Sequence, residues 1–241
     1  KCRKAGLTPD AVVLVATVRA LKYNGGIPKA ELAAENLDAL AKGAVNLEAH
    51  IENLRKYGLP IVVAINRFVQ DTEAELELIR SSCAKYGVNV ALSEVWAKGG
   101  AGGKALAEEV MRLCEQPSQF RFCYETDSSI EEKLNAIATK IYHADGVDLV
   151  GNASKQLIQL ESMGFSDLPI CMAKTQYSFS QDPKLYGAPE GFRFDIKDIV
   201  INTGSEMIVA IAGDIIRMPG LPKVPQATRI DIVEGLIEGL S

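Results

Sequence analysis

The chain has 241 residues, 47% of them hydrophobic, enough to bury one large core or two smaller ones. A charged fraction of 24% with a net charge of -5 excludes the basic excess of a nucleic-acid binder, so small molecules or copies of the same chain are the expected partners. No apolar run approaches the roughly 20 residues of a membrane-spanning helix and no basic start leads into an apolar stretch, which points to the cytoplasm and away from membranes.

The opening residues Lys1-Cys2-Arg3-Lys4 lack an initiator methionine and run quickly into a strand-like stretch, as the middle of a domain would. Residues 11–16 and 60–65 are apolar and partly β-branched, the character of strands buried on both faces. Between them Leu47, Ile51 and Leu54 recur at helical spacing, and Gly58 followed by Pro60 stops that helix. Thr72 and Glu75 form a capping-box pattern ahead of Leu76, Ile79 and Cys83 on one helical face. A third strand is expected over 88–92. The glycine-rich run Gly99–Gly103 then leads into a helix with Leu106, Val110 and Leu113 on its apolar side.

The pattern changes near residue 117, which sets an expected boundary between a doubly wound α/β unit over 1–116 and a smaller α/β unit over 117–241. In the second unit Ser128 and Glu131 suggest a capping box before Ile130, Leu134, Ile137 and Ile141. A strand over 147–150, a helix over 154–163 and a strand over 169–173 continue the alternation. Residues 177–192, rich in proline, glycine and polar side chains, read as a long ordered loop. Strands over 198–203 and 207–212 join at Gly204, residues 218–223 form an extended turn, and a short helical stretch ends the chain.

The five cysteines, Cys2, Cys83, Cys114, Cys123 and Cys171, are odd in number and contain no CxxC pair, so reduced structural thiols are expected and no metal site is. His50 and His143 have no triad-like partners and read as structural or solvent-facing.

Ligands of open α/β sheets bind beyond the carboxyl ends of the strands, which singles out Asn66, Arg67 and Phe68 after the second strand. Asn66 and Asp71 superficially resemble a guanine-reading pair, but their spacing is wrong for one. After the third strand comes Leu92-Ser93-Glu94-Val95-Trp96-Ala97-Lys98, which places the only tryptophan before the glycine-rich run. Phe68 and Trp96, expected on loops from neighbouring strand ends, suit a clamp for a planar ring, although a phenylalanine at such a place is more often core and the loop tryptophan could equally cover the core. Gly99 to Lys104 fails as a phosphate loop: Lys98 stands where a glycine is required, and Ala105 replaces the magnesium-binding hydroxyl. Lys174 and Tyr177 follow another core strand within a polar block, where Lys174 could meet a phosphate or carboxylate or simply be solvated.

Six blocks in order carry a resemblance to the formate-tetrahydrofolate ligases. They are Lys1-Cys2-Arg3 with Ala5-Gly6-Leu7, Ala16-Thr17-Val18-Arg19-Ala20-Leu21-Lys22, Ala64-Ile65-Asn66-Arg67-Phe68, Leu92 through Gly100, Ala173-Lys174-Thr175-Gln176-Tyr177-Ser178, and Met218-Pro219-Gly220-Leu221-Pro222. The resemblance implies the remainder of a P-loop NTPase-like parallel-sheet domain followed by a smaller α/β domain. It implies that ATP phosphorylates formate to formyl phosphate and that N10 of tetrahydrofolate attacks the formyl carbon, with Mg2+ and a monovalent cation as cofactors and a homo-oligomeric enzyme. It further implies a pterin site at Phe68, Leu92 and Trp96, with Asn66, Arg67, Lys98, Lys174 and Tyr177 as possible lining. The family's N-terminal phosphate-binding loop has no counterpart in these residues, so the expected partner is a missing N-terminal part of the same enzyme. A noncatalytic binding or assembly module and a nucleotide hydrolase of the same superfamily are the rival expectations.

Overall fold

The computed structural model describes residues 3–213, 215, 223–233 and 236–238, so the resemblance blocks at 1–2 and 218–222 lie outside the described residues. The first sheet has three parallel strands in the order β1 (Val12–Ala16), β2 (Ile61–Asn66) and β3 (Asn89–Ser93). Because all three run the same way, their carboxyl ends, Ala16, Asn66 and Ser93, reach one edge of the sheet.

α2 (Leu37–Lys56) and α3 (Glu73–Ala84) cross one sheet face. They bury Leu40, Leu47, Ile51, Leu76 and Ile79 against Ile61, Val63 and Ile65. α5 (Lys104–Cys114) covers the other face, where Leu113 meets Val62 and Ala91. That division explains why β2 is apolar at almost every position: both of its faces are dry. Thr72 and Glu75 form the expected reciprocal capping box of α3, and Gly58 takes the left-handed backbone, φ +71°, that ends α2.

The pattern reading did not anticipate α1 (Val18–Asn24), a seven-residue helix capped by the Thr17 hydroxyl. It is short for a periodicity, and tertiary packing holds it. A side chain at Gly43 of α2 would put its Cβ 1.7 Å from the Leu21 carbonyl oxygen, so α1 and α2 cross in backbone contact.

The second sheet is mixed, in the order β4 (Gly146–Leu149), β6 (Arg193–Asn202), β7 (Met207–Ala212) and β5 (Ile170–Ala173). β6 and β7 pair antiparallel around a turn at Thr203–Ser205, while β4 and β5 pair parallel with them. α6 (Ile130–Lys140) and α7 (Ala153–Ser162) pack Leu134, Leu157 and Leu160 on Phe194, Ile196 and Ile208. Its strands match expectation except that β6 starts at Arg193, five residues early, because Phe194 and Ile196 are fully buried.

Two expectations are corrected. The α6 cap is Ser129 with Glu132, not Ser128 with Glu131: the Ser129 hydroxyl accepts the Glu132 N–H, and Glu132 accepts the Ser129 N–H in return. Near the chain end the described residues form two short antiparallel strands, β8 (Asp231–Val233) and β9 (Leu236–Glu238), where a helical stretch was expected. The β-branched Ile232 and Val233 favour that outcome.

The loop over 177–192 runs along α2 and is internally bonded. The Ser178 hydroxyl donates to the Leu185 carbonyl at 2.6 Å, and Ser178, Phe179 and Ser180 are buried. Asn46 of α2 donates to the Gly187 carbonyl at 2.8 Å, and the His50 ring packs 4.5 Å from Phe179. The His143 ring lies 5.9 Å from the same phenylalanine and bonds Asn53 at 3.0 Å, so both histidines belong to this joint.

Four cysteines are free among the described residues. Burial pushes the Cys83 thiol up to about 11, whereas Cys114 and Cys171 are exposed. At pH 8 a thiol-disulfide reagent should label Cys114 and Cys171 within seconds to minutes and Cys83 only after unfolding. Peptide mapping of the labelled protein reads the result, and rapid native labelling of Cys83 would show that α3 opens readily.

Candidate functional site at the carboxyl edge of the first sheet

Beyond β2 the chain turns sharply. The Phe68 N–H donates to the Asp71 carboxylate at 2.8 Å and the Asp71 N–H returns a bond to the Phe68 carbonyl at 3.1 Å. Asp71 is buried, and desolvation raises its pKa against the opposing pull of the Phe68 N–H. Its carboxylate is thus used in holding the phenylalanine turn, which accounts for Asp71 without any base-reading role.

Beyond β3 the chain enters a one-turn helix, α4 (Val95–Lys98), so Trp96 sits on a helical turn where a loop was expected. Its indole N–H donates to the Arg67 carbonyl at 2.9 Å, which ties the tryptophan to the residue before Phe68. The Arg67 N–H donates to the Ser93 carbonyl at 3.1 Å, so the two strand ends stay joined past the sheet. Trp96 remains 61% exposed, Phe68 and Leu92 are half-buried, and Phe68 and Trp96 are not packed ring against ring.

The charges around the rings are mostly paired. The Arg67 guanidinium lies 2.9 Å from Glu73 and 3.8 Å from Glu94, and Lys98 lies 2.6 Å from Glu94. The Lys98 hydrogen bond is the main cause of a lowered Glu94 pKa. Asn66 takes the last register position of β2, opposite Ser93. A cavity of about 560 Å³ opens along the free edge of β3, lined by Leu92, Glu94, Lys98, Gly102 and Glu109, with Phe68 and Trp96 outside its lining.

The glycine-rich run forms a tight turn folded back on α4. The Glu94 N–H donates to the Gly102 carbonyl at 3.0 Å, and a Cβ at Gly102 would lie 2.4 Å from the Glu94 carbonyl oxygen. Glycine is needed there for close backbone approach, and Glu94 adds negative charge, so these residues do not fit a triphosphate cradle. Nor do the described residues fit a magnesium centre, since no three of their His, Cys, Asp and Glu side chains gather to hold a metal ion.

Lys174 and Tyr177 lie elsewhere, after β5. The Lys174 ammonium donates to the carbonyls of Thr175, at 2.9 Å, and Ser178, and sits 4.9 Å from the Tyr142 ring centroid. Desolvation brings its pKa down to about 8. Its contacts make Lys174 an organiser of the 174–178 turn. Tyr177 points to α1 and meets Tyr23 edge-on at 6.4 Å. The structure therefore gathers Asn66, Arg67, Phe68, Leu92, Trp96 and Lys98 at one sheet edge and joins Tyr177 to it only through α1. One neighbour escaped the strand-end reading: Arg19, whose guanidinium lies 5.8 Å from the Phe68 ring centroid. Its position just beyond β1, on the third strand end of the same edge, is the signal that could have found it.

An open parallel sheet that gathers polar and aromatic side chains beyond its strand ends is the plan of an α/β domain whose site lies at that edge. The family model described as Formate--tetrahydrofolate ligase matches residues 1–241, and the chain belongs to that family. Its members are ligases that act on formate and tetrahydrofolate with ATP. No helix among the described residues is long and apolar enough to cross a membrane.

Proposed function

We infer that this chain contributes the tetrahydrofolate pocket of the ligase, with the pterin ring between Phe68 and Trp96 and Leu92 at its edge. The observation that carries this reading is the Trp96 indole held by the Arg67 carbonyl, which fixes an exposed aromatic face beside Phe68. A planar ring entering there gains dispersion and buried apolar area on two sides. Arg67 and Lys98, both on Glu94, frame the polar rim, where the pterin's amide and amino groups would meet paired charges. The pocket's work is positioning: it presents N10 to an activated formyl group and needs no covalent nucleophile.

The phosphates of ATP, and Mg2+ with them, are held in this reading by a segment outside these 241 residues, as the packed Gly99–Gly103 turn supports. In this reading such a segment would dock beside β1. Among the described residues β1 is an edge strand, and Val13 and Val15 are exposed on it, an apolar strip that an adjoining part of the enzyme would cover. A division near residue 117 into a folate-binding unit and a smaller α/β unit, a monovalent cation, self-association and a cytoplasmic location belong to the same proposal.

The test is a product assay. The purified chain given formate, ATP and tetrahydrofolate should form no 10-formyltetrahydrofolate, and adding the N-terminal part of the enzyme should restore synthesis. Turnover by the chain alone at the level of an intact ligase would overturn the placement of the phosphate site.

A further inference from the structure

We propose that the cavity at the amino end of β5, lined by Arg3, Lys4, Asp127 and Asp167, is a second small-molecule site that takes the zwitterion of a small apolar α-amino acid. The inference is independent of the pterin slot, with which the cavity shares no residue.

The cavity measures about 410 Å³, within the range of small-molecule sites, and Thr126, Leu168 and Pro169 complete its lining. Three pieces of chain meet there: residues 3–4 ahead of β1, residues 126–127 ahead of α6, and residues 167–169 leading into β5. Aromatic contacts hold the first piece in place. The Arg3 guanidinium lies 3.6 Å from the Phe122 ring centroid and 4.7 Å from that of Tyr124, and its Nη2 donates to the Tyr124 carbonyl at 2.7 Å. Tyr124 is itself fixed, its hydroxyl accepting the Ile170 N–H at 2.9 Å.

One donor in this arrangement is unused. Arg3 Nη1 is buried without a hydrogen-bond partner, and among the described residues no other buried side-chain nitrogen or oxygen is in that condition. A buried donor calls for an acceptor, and a guanidinium held flat on aromatic rings presents its N–H groups to a carboxylate in fixed directions. The carboxylates of the cavity wall do not serve it. Asp127 and Asp167 are exposed and form no hydrogen bond or ion pair among the described residues. The neighbouring cations are already engaged: the buried Lys133 ammonium donates to the carbonyls of Ser166 and, at 3.3 Å, Leu168, and Lys4 sits 3.0 Å from Glu206. Burial pulls the Lys133 pKa down, Asp167 and Asp127 pull it up and Arg3 adds to the lowering, so both carboxylates and the guanidinium act on one neighbourhood.

That pattern selects by charge. An anion alone meets the repulsion of two aspartates, and a cation alone meets that of Arg3. A zwitterion satisfies both, its carboxylate on the Arg3 guanidinium and its ammonium at Asp127 and Asp167. Leu168 and Pro169 suit a short apolar side chain.

Amide NMR titrations with L-valine, and with isovalerate and isobutylamine as its anionic and cationic halves, test this. L-Valine should move the signals of residues 126–127 and 167–168 and bind about tenfold more tightly than either half. Asp127→Asn with Asp167→Asn should weaken valine about tenfold and strengthen isovalerate, because the ammonium loses its partners and the anion loses its repulsion. Arg3→Met should abolish binding of valine and isovalerate alike. Since Arg3 also packs on Phe122 and Tyr124, the exposed aspartate pair decides the matter if that variant melts early. Signals at 126–127 and 167–168 that valine leaves unmoved, isovalerate binding as tightly as valine, or a valine affinity unchanged in the aspartate variant would each overturn the proposal.

Discussion

Replacing Trp96 by alanine is expected to weaken tetrahydrofolate binding by about one to two orders of magnitude, the equivalent of one ring-on-ring stack worth roughly 1 to 3 kcal/mol. The variant should fold normally. A core tryptophan costs about 3 to 5 kcal/mol of stability when truncated, but Trp96 is 61% exposed and most of that loss does not apply. The two roles therefore separate cleanly in two measurements, folate affinity by calorimetry and melting temperature by circular dichroism. Trp96→Phe retains a face for stacking but loses the bond to the Arg67 carbonyl, so its affinity should fall between the two. Phe68→Ala should act in the same direction, with a larger stability cost because Phe68 is half-buried. A folded Trp96→Ala protein with unchanged folate affinity would leave the tryptophan as a strap between the strand ends and nothing more.

Much of this site is legible in the sequence because strand ends are. A buried parallel strand is a run of apolar residues that stops where the chain leaves the sheet, so Asn66 and Ser93 locate the edge, and the rings just past them fall beside it. Short-range chemistry is legible as well: the Thr72 and Glu75 cap formed as spaced. Legibility ends where tertiary contact decides. α1 is too short to show a period, and its crossing with α2 depends on Gly43, whose importance is visible only once Leu21 lies 1.7 Å from where a Cβ would be. The glycine-rich run looks like an anion cradle until Glu94 is seen bonded to Gly102. Lys174 looks like a ligand-facing cation, yet its ammonium bonds the Thr175 and Ser178 carbonyls, a choice that backbone geometry makes and composition does not disclose.

The same limit hides the ion pair on which the site's support depends, and Lys22→Met should reveal it by destabilising the protein by about 3 to 5 kcal/mol. The Lys22 ammonium lies 2.8 Å from Glu75 with side-chain exposures of 2% and 0%, and it also donates to the Ala34 carbonyl at 2.8 Å. Glu75 accepts the Asn36 N–H on one oxygen and the Thr72 N–H on the other, both at 3.2 Å. One buried pair thus joins α1, the start of α2 and the cap of α3, the helix that follows the Phe68 turn. Removing the cation leaves a buried carboxylate without its counter-charge. Lys22→Met with Glu75→Gln should recover most of the loss, because the neutral amide still offers an oxygen to one of those N–H groups and no uncompensated charge remains.

Acid provides an independent check on the same pair. Burial alone would raise the Glu75 pKa, but the Lys22 bond and the Thr72 and Asn36 N–H groups outweigh it and the net shift is downward. A depressed carboxylate binds fewer protons folded than unfolded, so its contribution is complete above the ordinary value of 4.5 and is lost as pH falls through the lower, folded value. Urea midpoints measured from pH 7 downward should therefore drop more steeply below pH 4.5 for the native protein than for the Lys22→Met/Glu75→Gln variant. Identical acid profiles, or a Lys22→Met protein as stable as the native one, would show that Glu75 is held by its two backbone donors alone and that α1 is anchored by its packing on α2.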